Sequence, residues 1–281
     1  METDAVIASF FRLQSRIGKG SYGEVYDAVD VRTNASVAVK LEPVTARFPQ
    51  LLYEYRVMQE LGNQHGFPRV LWFETAGDYN VLIMQKLGRS VEDDRTLNGG
   101  TLPLDRVTAI GRQALERLSA CHALGFAYRD IKPQNFLFGA RPGSNTLYLI
   151  DFGLCKRVVD PDTGTHIAVR TDKKMAGTPR YASLHAHAGV EQSRRDDVEA
   201  LVYMLVFLVH GKLPWQPKPS AGASSSPASM LRRIQSCKQK TSPDKLCAGL
   251  PPQFLATLQH AQSLAFDATP DYSYLYDLWR V

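Results

Sequence analysis

The residues best suited to chemistry sit close together in Tyr128-Arg129-Asp130-Ile131-Lys132-Pro133-Gln134-Asn135. There a carboxylate, an ammonium two residues on and a carboxamide five residues on share one short stretch. Such a set suits phosphoryl transfer, which needs in-line positioning and neutralised phosphate charge more than covalent help. In that chemistry Asp130 orients an acceptor hydroxyl and takes its proton, while Lys132 offsets charge on the moving phosphoryl group. Asn135 and the carboxylate of Asp151-Phe152-Gly153 offer the oxygen ligands that Mg2+, a hard cation, prefers.

A phosphate-bearing donor needs a cradle. Gly18-Lys19-Gly20-Ser21-Tyr22-Gly23-Glu24-Val25 fits G-x-G-x-x-G-x-V. Alone the pattern is weak, since an ordinary glycine turn or a dinucleotide fingerprint would also satisfy it. The fingerprint needs a helix straight after the glycines, whereas Glu24 to Val31 alternates like a strand. A glycine-rich hairpin is therefore expected, with Gly18, Gly20 and Gly23 letting backbone amides close over phosphates. Lys40 ends the apolar run Val37-Ala38-Val39. Downstream, Glu54 shares a helical face with Leu51, Tyr55 and Met58. A carboxylate on an apolar stripe calls for a cation, and Lys40 can supply it while still facing the phosphates of ATP.

These groups have to be positioned by a scaffold. Phe11, Leu13 and Ile17 share one alternating phase, and Val25, Val29 and Val31 share another. After the turn Arg32-Thr33-Asn34 comes Ser36 to Lys40, giving strand, glycine turn, strand, turn, strand. Pro49 is expected in the first turn of a helix, and a further strand is expected over Tyr79 to Gln85. From about Leu104 the pattern turns helical, with Val107, Ile110, Ala114, Leu118 and Cys121 as an apolar stripe. Leu147 to Ile150 reads as a short strand ending at Asp151. The Ser-, Ala-, Gly- and Pro-rich stretch from Lys218 to Ser229 reads as a mobile surface loop. The expected architecture is α+β and bilobal. A small β-rich N-terminal lobe (1–86) joins a larger, mainly helical C-terminal lobe (88–281) through a hinge at 85–87, and all 281 residues form one catalytic domain.

Composition excludes several classes. An apolar fraction of 44% and a charged fraction of 22% are ordinary for a globular protein. The excess of 33 Lys and Arg over 28 Asp and Glu is modest. It is compatible with an acidic or phosphorylated partner and gives no reason to invoke nucleic acid. Cys121, Cys155, Cys237 and Cys247 form no C-x-x-C pair, so neither a zinc ribbon nor a redox pair is suggested. Their sparseness fits a reducing intracellular compartment, cytoplasm or nucleus. The opening Met-Glu-Thr-Asp is no secretory signal, and the longest apolar run, Ala200 to Val209, is too short to span a membrane.

The chain resembles the casein kinase 1 family of Ser/Thr protein kinases over nearly its whole length. The strings that carry the resemblance are Leu51-Leu52-Tyr53-Glu54, Lys132 to Leu137, Ile150 to Leu154, Gly177-Thr178-Pro179-Arg180-Tyr181-Ala182-Ser183, Glu191-Gln192-Ser193-Arg194-Arg195-Asp196-Asp197, Leu213-Pro214-Trp215-Gln216 and Pro270 to Leu275. The Gly177 to Ser183 string stands where most protein kinases carry Ala-Pro-Glu, and Tyr128 stands where the commonest catalytic loop has His. The resemblance implies a protein-kinase fold, ATP and Mg2+ as cofactors, and a monomer acting on acidic or pre-phosphorylated proteins. Ile17, Val25 and Ala38 look like the roof over adenine, with Leu137 and Ile150 below it. Met84 looks like the guard of the back pocket, and Gln85 to Leu87 like the hinge. Asp197 resembles the aspartate that braces the catalytic loop. Arg180 resembles the arginine that holds a phosphate already on the substrate, and Lys173 is expected to assist it. Pro217 replaces a family glycine and removes a backbone N–H there, and Gln85 stands where the family usually has an acid. A scaffold that binds without catalysis normally loses the lysine or an aspartate of this set, yet Lys40, Asp130, Asn135 and Asp151 are all present. A small-molecule phosphotransferase does not account for the Arg180 segment.

Overall fold

The computed structural model describes residues 4–20, 23–62, 64–216 and 226–280. They form two compact units. One runs through Arg89 and takes in Leu137–Gly153; the other comprises Ser90–Phe136 and the residues from Leu154 onward.

The first unit is built on a six-stranded antiparallel sheet. Its strands are β1 (Val6–Ile7), β2 (Phe11–Gly20), β3 (Gly23–Asp30), β4 (Ala35–Pro43), β5 (Val70–Ala76) and β6 (Tyr79–Gln85), in the order β1-β2-β3-β4-β6-β5. Alternation puts Phe11, Leu13, Tyr26, Ala28, Val37, Val39, Leu41, Val81 and Ile83 in one core. In β3 the expected alternation runs through Val29: Val25 and Val29 lie half-buried on one face, Tyr26 and Ala28 are buried on the other, and Val31 is exposed beyond the strand. Tyr26 can fill the core because its hydroxyl reaches back to Glu24 Oε2 at 2.7 Å. Ile17 also departs from the phase of Phe11 and Leu13. Two register shifts between Leu13 and Gly18 intervene, and Ile17 is 55% exposed.

Helix α1 (Leu51–Leu61) buries Leu51, Glu54, Val57, Met58 and Leu61. Tyr55 is half-buried and stacks on Phe73 with ring centroids 4.6 Å apart. Pro49 lies before the N-cap Gln50 rather than in the first turn. The free amides of Gln50 and Leu51 go instead to the buried carboxylate of Glu42, at 2.6 and 3.1 Å.

The second unit is mainly helical. Helix α2 (Val91–Leu97) is started by a capping box of Ser90 and Asp93. Helix α3 (Leu104–Ala123) buries the stripe Val107, Ile110, Ala114, Leu118 and Cys121. In chain order there follow β7 (Phe126–Ala127), β8 (Phe136–Phe138), β9 (Leu147–Leu149) and β10 (Lys156–Arg157); β10 pairs with β7, and β8 with β9, this last pair belonging from Leu137 on to the first unit. The remaining helices are α4 (Leu184–His187), α5 (Arg194–His210), α6 (Pro227–Gln239), α7 (Pro243–Leu246), α8 (Pro252–Ser263) and α9 (Tyr272–Leu278). The run Ala200–Leu208 within α5 is buried on every side, with α3 and α8 packed against the helix. Among the described residues no helix is long and apolar enough to cross a membrane. Of the stretch Lys218 to Ser229 expected as a loop, residues 218–225 lie outside the described residues, and its end is not loop: Ser226 caps α6 and Pro227 opens it. Pro217 lies outside the described residues.

Candidate active site

In the first unit, Lys40 and Glu54 meet. Lys40 Nζ donates to Glu54 Oε2 at 2.6 Å and to Asp151 Oδ1 at 3.0 Å. Strand β4 supplies the lysine, the buried stripe of α1 the glutamate, and the segment after β9 the aspartate. Burial works against the ammonium, but the Glu54 and Asp151 carboxylates outweigh it and hold the Lys40 pKa above the ordinary lysine value. Asp151 has φ of 62°, a left-handed conformation uncommon for a non-glycine residue.

The glycine hairpin is present as β2 running into β3, with Gly20 opposite Gly23 and no helix after the glycines. Ser21 and Tyr22 at its tip lie outside the described residues. Gly23 has φ of 146°, and a Cβ there would run into the Leu41 carbonyl, so only glycine fits. Gly20 differs: a Cβ there would meet no heavy atom within 4 Å. Its own packing does not require glycine, and the open space over it suits close approach of a phosphate.

The roof and floor residues all belong to this unit. Val25, Met84, Gln85, Leu87, Leu137 and Ile150 are each half-buried, while Ala38 is buried. Their neighbours Val39, Ile83 and Leu149 are completely buried. The segment 137–153 is tied in by Gly88 N to Phe138 O at 2.8 Å and by Leu149 N to Gly66 O at 2.9 Å.

In the second unit, Asp130, Lys132 and Asn135 converge. Lys132 Nζ lies 2.5 Å from Asp130 Oδ2. Asn135 Nδ2 donates to the Asp130 carbonyl at 3.0 Å and to Oδ2 at 3.2 Å. The amide is thereby oriented by its nitrogen, and Oδ1 remains its acceptor end for a cation. Asp130 Oδ1 receives the hydroxyl of Thr178 at 3.0 Å. The loop is braced from α5: Asp197 accepts Tyr128 N at 2.6 Å and Arg129 N at 2.7 Å. Arg129 is held at φ of 70°, and Gly177, at φ of 85°, lies so close to the Arg129 carbonyl that no side chain would fit.

A sequence model of the protein kinase domain matches residues 11–258. The chain belongs to the protein kinase domain family. Kinase activity and ATP binding come with that membership, and the family generally uses Mg2+ with its nucleotide. The fold is the mixed α+β protein-kinase fold, with an N-terminal antiparallel sheet and a helical C-terminal portion.

Arg180 and Lys173 of the kinase have different partners. Arg180 Nη1 lies 3.4 Å from the Tyr181 hydroxyl, with its guanidinium 5.0 Å from the Phe207 ring centre. Lys173 Nζ lies 3.4 Å from Glu191 Oε2. The same carboxylate faces Lys156 at 2.7 Å and Arg129 at 3.7 Å. Burial alone would raise the Glu191 pKa, but the Lys156 and Lys173 ammoniums hold it below the usual range.

Several contributing residues escaped the sequence argument. His122 Nε2 donates to Asp197 Oδ2 at 2.9 Å, and its Nδ1 accepts the Tyr272 hydroxyl at 2.6 Å, which ties α9 to the loop brace. Only the position of His122 beside Cys121 on a buried stripe hinted at this. Glu191 and Thr178 stood inside strings singled out for their family likeness, yet nothing local marks which side chain turns toward Arg129 or Asp130.

Proposed function

We propose that this kinase domain is a Ser/Thr protein kinase of casein kinase 1 type, one catalytic domain acting as a monomer on acidic or phosphorylated proteins in the cytoplasm or nucleus. The carrying observation is the Thr178 hydroxyl bonded to Asp130 Oδ1 at 3.0 Å. An aliphatic hydroxyl already satisfies the carboxylate that would take the acceptor's proton, and a substrate serine or threonine offers the same group.

In this mechanism Asp130 orients the acceptor oxygen and receives its proton. Lys132 stands beside Asp130, where it offsets charge on the transferring group. Lys40, kept charged and fixed by Glu54, holds phosphate oxygens beneath the glycine hairpin. Asn135 and Asp151 would hold Mg2+, whose preference for oxygen ligands they meet. Bound Mg2+ and ATP supply the phosphoryl group and the neutralising charge. Ile17, Val25, Ala38, Leu137 and Ile150 enclose adenine, Met84 stands at the back of that pocket, and Gln85 to Leu87 form the hinge that meets adenine through its backbone.

The decisive experiment is transfer from radiolabelled ATP to casein and to a peptide library that includes phosphoserine-primed members, followed by phosphoamino-acid analysis. Phosphoserine and phosphothreonine are expected. Label on tyrosine alone, on aminoglycosides alone, or nucleotide binding without any transfer would each overturn the proposal.

A further inference from the structure

We infer that Lys238 is a positioning residue for the acceptor peptide: its ammonium fixes the backbone stretch Pro179–Ala182 and so sets the place of Arg180. The inference rests on the proposed casein kinase 1 type function, in which Arg180 meets a phosphate or acid carried by the substrate and the stretch around it therefore borders the peptide.

Lys238 projects from α6 and is 2% exposed. Its Nζ donates to the Pro179 carbonyl at 3.1 Å and, through a shorter bond, to the Ala182 carbonyl. The ammonium also lies 5.0 Å from the ring centres of both Tyr203 and Trp215. Among the described residues its partners are uncharged: carbonyl oxygens and ring faces solvate the ammonium in place of a carboxylate. Two further side chains grip the same stretch. His187 Nε2 donates to the Pro179 carbonyl at 3.0 Å, and Trp215 Nε1 to the Arg180 carbonyl at 2.8 Å. Donors from α4, from α6 and from the Leu213 to Gln216 segment thus converge on the carbonyls of Pro179, Arg180 and Ala182.

A buried lysine without a carboxylate partner is costly. Burial pushes the Lys238 pKa down to about 7, despite the opposing pull of Glu199. Glu199 is itself occupied by Leu184 N and by the Tyr203 hydroxyl. An apolar side chain would fill the same cage without that desolvation, but it would take the Lys238 donor from the Ala182 carbonyl, leave the Pro179 carbonyl to His187 alone and free Arg180 to shift. What the ammonium contributes is therefore the shape of one seven-residue string, Gly177 to Ser183.

The test is steady-state kinetics on Lys238→Met, which keeps length and apolar volume but removes charge and donors. Peptide KM is expected to rise about tenfold, with kcat and the KM for ATP within about twofold of wild type. Amide exchange supplies a readout independent of transfer: Tyr181 and Ala182 N–H, both bonded to the Thr178 carbonyl, should exchange at least about tenfold faster, with Tyr128 and Arg129 unchanged. If Lys238→Met does not fold, Lys238→Gln, which retains a donor, should show the same split at several-fold. An unchanged peptide KM, or a uniform loss in every kinetic constant with exchange raised throughout, would overturn the inference. If wild type transfers nothing to any peptide, the proposed function fails by itself, and the exchange comparison still decides whether Lys238 holds the stretch.

Discussion

Glu191 accepts an ion pair from Lys156 at 2.7 Å while only 2% of its side chain is exposed. Arg129 and Lys173 face the same carboxylate. The arginine beside Asp130 therefore already has a fixed negative partner, supplied from within the chain. The expected consequence is a kinase active without phosphate on its activation segment. Mass spectrometry of active protein should find Thr165, Thr171 and Thr178 unmodified; a strict requirement for phosphate on any of them would refute this. Glu191→Gln should cost about 2 kcal/mol of stability, below the cost of breaking a fully buried pair because the cations are 19–32% exposed. Thermal melting of the variant checks that figure.

The polar groups of the two units should be separately indispensable. Asp130→Asn and Asp151→Asn are each expected to abolish useful turnover, since in the proposed mechanism one takes a proton and the other supplies charge for a cation. Lys40→Met should lower the rate on the order of 10² to 10³, as for loss of one transition-state donor. Melting temperatures near wild type must accompany these losses before they count as chemical. An active, folded Asp130→Asn protein would remove Asp130 from the mechanism.

Much of this was legible in the sequence because the groups concerned are contiguous. Asp130, Lys132 and Asn135 share one loop, and a glutamate on the apolar stripe of α1 called for Lys40, which the structure places 2.6 Å away. Elements with weak periodicity were missed: β5 exposes Leu71 and Trp72, and α2 is only seven residues long. The alternation of Val25 and Val29 marked β3 as a strand without telling which face is the core, because counting valines ignores a tyrosine that can bury its ring and hydrogen-bond its tip. Contacts such as His122 to Tyr272, 150 residues apart, leave no local pattern at all.

The donors around Pro179 predict how stability follows pH. Burial, with the Lys238 charge adding to it, lowers the His187 pKa to about 4. Between roughly pH 6.5 and 4 the unfolded chain binds a proton at this residue that the folded chain does not, so stability falls as pH drops through that window. Partial exposure of His187 reduces the contribution to about 1–2 kcal/mol. Lys238 acts in the same direction at higher pH: its folded pKa near 7 lies below the unfolded value, so its contribution is lost as pH falls from roughly 10 through 7. His187→Gln should therefore flatten the melting-temperature profile between pH 6.5 and about 4, and Lys238→Met the profile between pH 7 and about 10. Profiles parallel to wild type in both variants would show that neither group titrates as described.

Substrate choice should depend on Arg180. Its guanidinium is planted over Phe207 and beside the Tyr181 hydroxyl, and its backbone is held by Trp215. It is only partly buried, so it can still face an anion. A guanidinium holds phosphate through two parallel hydrogen bonds, and charge-assisted bonds contribute roughly 1.5–3 kcal/mol when well formed. Exposure brings the total toward the lower figure, which is still about tenfold in specificity. Lys173 is engaged by Glu191 and contributes less than an unpaired lysine would. Arg180→Ala should lower kcat/KM for a peptide carrying an acid or phosphate N-terminal to the target Ser or Thr several-fold, and leave an unprimed peptide nearly unchanged. Raising the salt concentration should shrink the same preference in wild type, because screening acts on an exposed charge pair. Equal losses on both peptides would instead assign Arg180 to holding the Gly177 to Ser183 string in shape, and the preference for acidic or phosphorylated substrates would have to come from other residues.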